Sequence, residues 1–258
     1  MSDNNPPSDA LDLSKTLTIY GRKPVLEALS DTQIQPRRLH LADSNKLVGI
    51  ITEIIQTAEG RGVEIRYHDK RALSRISKNG KQDQGVALDI DCPNFRGVDE
   101  LAKTALSPDN RFLVLDGITN PQNVGMIIRS ALAADITGIV YPKQGVATLG
   151  SLVIKASAGT AMRAPLIRCA NALEGVTTLK SCGVRIVTLA GDTDLGLNQL
   201  ESGIPTAFVL GGETDGVSNQ IRALADCSAS IPMANKVESL NVAVTAALVA
   251  YLYRGTAD

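Results

Sequence analysis

The stretch LDGITNPQNVGMIIRSALAAD, residues 115–135, joins an apolar run to an amphipathic one through a loop of Gly, Thr, Asn and Pro. The first run predicts a buried strand that ends at Asp116, and the second predicts a helix that begins near Gln122. In open α/β sheets, ligands bind where strands end and helices begin. The stretch therefore predicts both an α/β fold and a ligand site at this loop.

The rest of the second half repeats this alternation. Continuous apolar runs that end in Gly, Pro or Asp are typical of strands buried on both faces of a mostly parallel sheet, with crossover helices between them. The predicted strands are FLVLD (112–116), TGIVYP (137–142), GVRIVTLA (183–190) and TAFVLGG (206–212), and the predicted helices span 122–134, 149–158, 171–181, 217–225 and 239–254.

The first half predicts a smaller α/β unit. Strands are expected at RRLHLA (37–42), VEIRY (63–67) and QGVALDID (84–91), with a helix in KLVGIITEIIQTAEG (46–60). The polar, Pro-containing span 92–110 predicts a domain boundary. The start, MSDNNPPSDALD, is polar and has no apolar core, so we expect a disordered tail rather than a signal peptide.

Composition excludes several classes of protein. The 258 residues carry a net charge of −1, so a wholly basic nucleic-acid binder is excluded and any such site must be a local patch. Three Phe, five Tyr and no Trp argue against a surface that stacks bases on exposed rings. Two His and four Cys without C-x-x-C spacing predict no metal site, and no apolar run is long enough to cross a membrane. We expect a soluble cytoplasmic protein.

One segment is strongly basic. Residues 61–81 hold seven basic and two acidic side chains, a local charge of +5. A solvated face and a patch that contacts phosphates both explain this charge. The candidate RNA contacts are Arg66, Lys70, Arg71, Arg75, Lys78 and Lys81.

Four further positions leave alternatives open. Arg129 lies in an apolar helix, so its guanidinium either forms a structural salt bridge or reaches a cleft. Asn120 and Asn123 are either turn and cap residues or ligand contacts. The segment SIPMANKVESLNVAVTAALVAYLYRG (230–255) predicts a short strand, a polar loop and an apolar helix. Ser239 in this loop is either an N-cap or part of a helix start that binds a ligand. GGETDG at 211–216 matches no dinucleotide or Walker A fingerprint, which argues against an oxidoreductase.

Three of these segments resemble the signature motifs of the SpoU/TrmH-type RNA 2′-O-ribose methyltransferases of the SPOUT superfamily. The motifs, in the order and near the spacing of that family, are NPQNVGMIIRSALAAD, VLGGETDGVS and IPMANKVESLNVAVTAAL. YGRKPVLEAL (20–29) and DQGVALDID (83–91) resemble the L30e-like substrate-binding domain of many members. Asn235 stands where many members have a small residue, often Gly, and Lys236 and Glu238 make the third motif more charged than usual.

The resemblance implies a disordered tail (1–16), an L30e-like RNA-binding domain (17–92), a linker (93–109) and a trefoil-knotted SPOUT methyltransferase domain (110–258). It implies S-adenosylmethionine as cofactor, no metal, and a homodimer whose interface includes the apolar helix 239–254. The implied catalytic residues are Arg129, Asn123, Glu213, Ser239 and Asn241. The implied cofactor contacts are Leu189, Gly211, Gly212, Ile231 and Leu240.

The implied reaction is methylation of a ribose 2′-OH, which is the group that separates RNA from DNA. Because Arg is a poor base, with a pKa above about 12, we expect Arg129 to position and stabilise rather than to abstract a proton. Ribosomal RNA is the expected substrate, as a housekeeping or a resistance mark. Transfer RNA is an alternative, and so is an RNA-binding protein that has lost catalysis.

Overall fold

The chain folds into two compact units, Met1–Pro93 and Asn94–Asp258. The computed structural model describes residues 15–101, 103–191 and 193–252. Most of the expected tail, 1–16, lies outside this range, but Thr16 already belongs to the first strand.

The N-terminal unit is a four-stranded mixed sheet with three helices. Strand β4 lies between β1 and β2 and is antiparallel to both, whereas β3 is parallel to β2 at the edge. The predicted strands are confirmed, whereas the helix predicted over 46–60 begins only at Ile50. Helix α3, which was not predicted, is capped by the side chain of Asp69. The elements are β1 (Thr16–Tyr20), α1 (Arg22–Ser30), β2 (Gln35–Ala42), α2 (Ile50–Gly60), β3 (Glu64–His68), α3 (Lys70–Ser77) and β4 (Val86–Asp91).

The C-terminal unit is a seven-stranded sheet in the order β11-β9-β10-β6-β7-β8-β5, in which every neighbouring pair is parallel. This confirms the predicted α/β class. The elements are β5 (Arg96–Gly97), α4 (Val98–Leu101), β6 (Arg111–Asp116), α5 (Pro121–Ala133), β7 (Gly138–Pro142), α6 (Ser151–Ala156), β8 (Leu166–Cys169), α7 (Ala172–Ser181), β9 (Arg185–Leu189), β10 (Thr206–Gly211), α8 (Asn219–Leu224), β11 (Cys227–Ala229) and α9 (Val242–Leu252).

Three details differ from the sequence interpretation. The stretch 93–109, expected to be a linker, contains β5 and α4, because β5 hydrogen-bonds to β8 and adds a seventh strand to the sheet. The short strand expected at the start of 230–255 lies earlier, at β11. The helix expected over 239–254 begins only at Val242.

Both faces of the large sheet are buried, which explains the continuous apolar runs. Phe112 and Val114 of β6 pack with Val176 of α7 and Ile221 of α8 in one cluster. Leu113, on the opposite face of the same strand, is also fully buried. On that side α9 contacts β10 and packs against α5, which in turn packs against α6.

Strand order brings distant loops together at one edge of the sheet. The chain runs from β6 outward through β7 and β8, then crosses to β9 and returns to insert β10 beside β6. Gly211 at the end of β10 is in register with Asp116 at the end of β6. The carboxyl edge near β6 and β10 is therefore a topological switch point, where open α/β sheets bind ligands.

Candidate active site

A hydrogen-bonded polar cluster joins the three motifs at this edge. Asn123 Nδ2 donates to Glu213 Oε1 at 2.6 Å, and Asn241 Nδ2 donates to Asn123 Oδ1 at 3.1 Å. Asn241 Nδ2 also lies 3.5 Å from Glu213 Oε1. Asn123 is buried, whereas the other two side chains are exposed. A buried amide thus holds an accessible carboxylate in one orientation.

Asparagine side chains occupy the N-cap positions of α5 and α9. Asn120 is the N-cap of α5, because its Oδ1 accepts the Gln122 N–H at 2.9 Å, so its structural interpretation is confirmed. Ser239 is not an N-cap, and that alternative is wrong. Asn241 occupies this position at α9 instead, where its Oδ1 accepts the Ala243 N–H at 2.9 Å. The side chain of Ser239 is left exposed at the site.

A cavity of about 560 Å³ opens beside the polar cluster, within the range typical of small-molecule sites. All five expected cofactor contacts line it, as do Glu213, Ser239 and Asn241, whereas Asn123 and Arg129 do not. Sequence reasoning missed the remaining lining residues, although several directly follow strand ends: Ala190, Gly191, Leu210, Gly216, Val217, Ala229, Met233, Glu238, Val242 and Thr245.

The two glycines at the end of β10 are required by backbone packing. A Cβ on Gly211 would lie 2.2 Å from the carbonyl carbon of Gly216, and one on Gly212 would lie 2.6 Å from the carbonyl oxygen of Gly117. Backbone cannot yield as a flexible side chain does, so both positions exclude any larger residue. The contacts that require these glycines are therefore within the protein.

Arg129 is available to a ligand. Its side chain is exposed, and within the described ranges 15–101, 103–191 and 193–252 its guanidinium has no hydrogen bond or ion pair. The structural salt bridge left open by the sequence is therefore not formed there. Six residues separate Arg129 from Asn123, which places it about 9 Å further along α5 and about a third of a turn around it.

The six expected RNA contacts are all exposed, but they are not equivalent. Glu64 is held between two cations, with Arg38 Nε at 2.7 Å and Arg66 Nε at 2.5 Å from its carboxylate oxygens. Hydrogen bonds from Arg38 and Arg66 hold the pKa of Glu64 below its usual value. Arg66 is thus partly neutralised. Lys70, Arg71, Arg75, Lys78 and Lys81 form no ion pair with any described residue.

Arg61, in the same basic stretch, has a structural role. Its guanidinium donates to the backbone oxygens of Leu29, Asp31 and Ile34 at 2.8, 3.0 and 2.6 Å. These carbonyls lie at and just beyond the end of α1. Arg61 therefore closes that helix end, and the basic surface available to a ligand is Lys70, Arg71, Arg75, Lys78 and Lys81, which we call the α3 basic surface.

The structure also bears on metal binding and on membrane insertion. In the part of the chain that the structure describes, no group of three or more His, Cys, Asp or Glu side chains is placed to bind a metal ion. No helix among those residues combines the length and the apolar character needed to cross a membrane.

Two family models match the chain. One, described as the SpoU rRNA Methylase family, matches residues 110–251, and the other, described as RNA 2′-O ribose methyltransferase substrate binding, matches residues 18–96. An uncharacterized tRNA/rRNA methyltransferase of Mycobacterium leprae is 34% identical over 236 residues, covering 91% of this chain and 76% of that protein. A relative with the same description from Mycolicibacterium vanbaalenii is 33% identical, covering 91% and 74%.

Solved structures share the fold. The SpoU methyltransferase AviRb from Streptomyces viridochromogenes, crystallised with the cofactor AdoMet, superposes with a TM-score of 0.62 at 22% identity, covering 93% of this chain and 89% of that one. An rRNA methyltransferase from Sinorhizobium meliloti gives a TM-score of 0.61 at 19% identity, covering 93% and 87%. Because the first family model spans more than half of the chain and relatives align with 91% of it, the chain belongs to the SpoU family of RNA methyltransferases.

Proposed function

We propose that this protein transfers a methyl group from S-adenosylmethionine to a ribose 2′-OH, in ribosomal RNA. The observation that carries the proposal is the polar cluster of Asn123, Glu213 and Asn241 at the mouth of the 560 Å³ cavity. The family model for RNA 2′-O ribose methyltransferase substrate binding, which matches residues 18–96, supports the ribose as acceptor.

The cavity fits the cofactor. It is lined by the ends of β9, β10 and β11 and by the start of α9, which offer backbone groups and small side chains. Leu189, Gly211, Gly212, Ile231 and Leu240 would hold the nucleoside and the methionine chain. When bound, S-adenosylmethionine supplies a methyl group on a positively charged sulfur. The structure of AviRb with AdoMet supports this assignment.

The residues of this chain would orient the acceptor. The ribose 2′-oxygen would form a bond to the methyl carbon while the bond between that carbon and sulfur breaks. The electron pair of the broken bond would stay on sulfur, and the hydroxyl proton would pass to water. Arg129, which has no partner among the described residues, would hold the adjacent phosphate and stabilise negative charge on the oxygen. Glu213, fixed by Asn123 and Asn241, would orient the ribose together with Ser239.

A knotted C-terminal tail belongs to the same proposal. The loop after β9 lies against the tail that follows β11, because Ala190 N–H donates to Ala229 O and Leu197 N–H donates to Ser230 O, at 3.1 and 2.8 Å. Ser230 N–H donates back to Leu195 O at 2.8 Å. These bonds support a path in which the tail passes beside this loop on its way to α9.

A homodimer also belongs to the proposal. Val244, Leu248 and Tyr251 form an exposed apolar stripe at helical spacing on α9, and Met126 of the adjoining α5 is 41% exposed. Such a stripe favours a second copy of this chain as its cover. Leu248→Glu should convert a dimer into a monomer in sedimentation, and a wild-type monomer at micromolar concentration would contradict the proposal.

The decisive experiment maps 2′-O-methyl sites in RNA from a deletion strain. We expect one ribosomal site to lose its methyl group and to regain it when the wild-type gene, but not Arg129→Ala, is restored. Loss of a transfer RNA site instead would assign the substrate to that class. If no site changes and S-adenosylmethionine gives no heat of binding to the purified protein, the protein is a non-catalytic RNA binder.

A further inference from the structure

The cavity has an unusual balance of charge. Among the described residues that line it, the only charged ones are the carboxylates Glu213 and Glu238, and none is basic. Glu213 accepts hydrogen bonds from Asn123 and Asn241. Glu238 is exposed, and within the described residues its carboxylate has no hydrogen bond or ion pair. One of the two carboxylates is therefore committed to the polar cluster, and the other is free to face a bound ligand.

The position of Glu238 is set by a tight turn. Val237 N–H donates to Ala234 O at 3.1 Å, and the two central residues, Asn235 and Lys236, have φ angles of 56° and 60°. Positive φ at both central positions is typical of a type I′ turn, in which Gly and Asn are favoured. This explains why Asn235 can replace the small residue of many family members.

The turn places Glu238 beside the segment that follows β9. The carbonyl oxygen of Glu238 lies 3.8 Å from the point where a Cβ on Gly191 would be, so the two segments face each other closely. Glu238 is followed directly by Ser239, Leu240 and Asn241, which line the same cavity. Glu238 is therefore part of the cavity wall.

We infer that Glu238 is a specificity-determining residue that favours the cationic methyl donor over its neutral product. The inference rests on the proposed function. S-adenosylmethionine carries a sulfonium, an ammonium and a carboxylate, so its net charge is +1. S-adenosylhomocysteine lacks only the methyl group and the sulfonium charge, so its net charge is zero.

Where the described lining holds no basic side chain, the Glu238 carboxylate stabilises the sulfonium charge of the donor, which the product lacks. The same carboxylate would leave the product less tightly held after each turnover. An exposed ion pair contributes up to about 1 kcal/mol, which corresponds to about a fivefold change in affinity.

Calorimetric titration of the full-length protein tests the inference. Glu238→Gln keeps the shape of the side chain and removes its charge. We expect it to weaken binding of S-adenosylmethionine about fivefold and to change binding of S-adenosylhomocysteine less than twofold. An analogue with an ammonium group in place of the sulfonium should lose affinity as the donor does, because it keeps the charge.

The matched control is Asp215→Asn, an exposed acid in the loop after β10 that does not line the cavity. It should leave the ratio of the two affinities unchanged. An equal loss of donor and product affinity in Glu238→Gln, or no loss of either, would overturn the inference while leaving the proposed function in place. Failure of the wild-type protein to bind either compound would overturn both.

Discussion

Asn123, at the start of α5, donates a hydrogen bond of 2.6 Å to Glu213, which lies 90 residues further along the chain. The bond is possible because β6 and β10, which lead into these two segments, are paired neighbours in the sheet. Asn123 is buried while Glu213 is exposed, so a group inside the protein orients a carboxylate at the surface. Asn123 and Glu213 therefore form one structural unit.

The first prediction concerns Arg129. Arg129→Ala should lower single-turnover methylation at least about 100-fold, since loss of one charged group in a preorganised site typically costs that much. Arg129→Lys should recover little, because an ammonium lacks the planar fork that binds two acceptors. Thermal stability should not fall in either variant, since the side chain is exposed and has no partner among the described residues. A stable Arg129→Ala protein with near-normal turnover would remove Arg129 from the mechanism.

The second prediction concerns the carboxylate that Asn123→Asp would place beside Glu213. Two carboxylates in the place of this hydrogen-bonded pair share one proton, and the pKa for losing that proton is raised above the values of the unfolded chain. The folded protein then binds more protons than the unfolded one, so its stability falls as pH rises above about 4. Urea unfolding at several pH values should show this loss in Asn123→Asp.

Asn123→Ala is the matched variant for that experiment. It removes the same hydrogen bond without adding a charge, and it should cost about 1–3 kcal/mol at every pH. If the two variants lose equal stability at every pH, Asn123 and Glu213 do not interact in solution as they do in the structure.

The third prediction concerns the α3 basic surface. Changing Arg71, Arg75 and Lys78 together to Gln should weaken RNA binding and reduce its dependence on salt, because three phosphate contacts are lost. Arg66→Gln should have a smaller effect than Arg71→Gln, since Arg66 is paired with Glu64. Lys103→Gln, in the other unit, is the charge control. Binding of S-adenosylmethionine should not change in any of these variants. If the RNA affinity of the triple variant and the dependence of that affinity on salt are unchanged, the α3 basic surface faces solvent and does not contact RNA.

A buried network in the N-terminal unit carries the fourth prediction. Asp89 accepts from Thr18 Oγ1 at 2.6 Å and lies 3.0 Å from His40 Nε2, while His40 Nδ1 lies 2.9 Å from His68 Nε2. Burial raises the pKa of Asp89, but hydrogen bonds from His40 and Thr18 and the charges of His40 and Arg38 outweigh it, so the net pKa is lowered. The charged form of Asp89 thus stabilises the fold.

The stabilisation by Asp89 should be present above its unfolded pKa of about 3.9 and should disappear as pH falls through the lower folded value. Asp89→Asn should therefore reduce the free energy of unfolding by about 1–3 kcal/mol near neutral pH and by less in acid. Urea unfolding of wild-type and variant at matched pH measures this difference. Thr18→Val, which removes one of the two hydrogen bonds, should show a smaller effect of the same sign. A difference that grows in acid would contradict the prediction.

Local pattern alone was sufficient for the α/β class and for most elements of the large sheet. Strands buried on both faces must be apolar throughout, so β6, β7, β9 and β10 appear as continuous runs whose ends are marked by Gly, Pro or Asp. Two of the three motifs that carry the family resemblance lie at the ends of such runs, β6 and β10, which is why candidate residues could be named from the sequence. Short strands such as β5, β8 and β11 were not predicted at their observed positions, because two to four residues are too few to show a periodic pattern.

Tertiary structure decided which of those residues meet. Strand order is a property of the whole sheet, and only the insertion of β10 beside β6 brings Glu213 to Asn123. The N-cap at Asn241 rather than Ser239 depends on where α9 begins, and both residue types cap helices equally well. The pairing of Arg66 with Glu64 and the hydrogen bond from Arg61 to the end of α1 depend on neighbours that periodicity does not identify. Residue type and spacing determine the elements, because these arise from local backbone preferences and side-chain periodicity, whereas charge pairing and site geometry arise from contacts between distant parts of the chain.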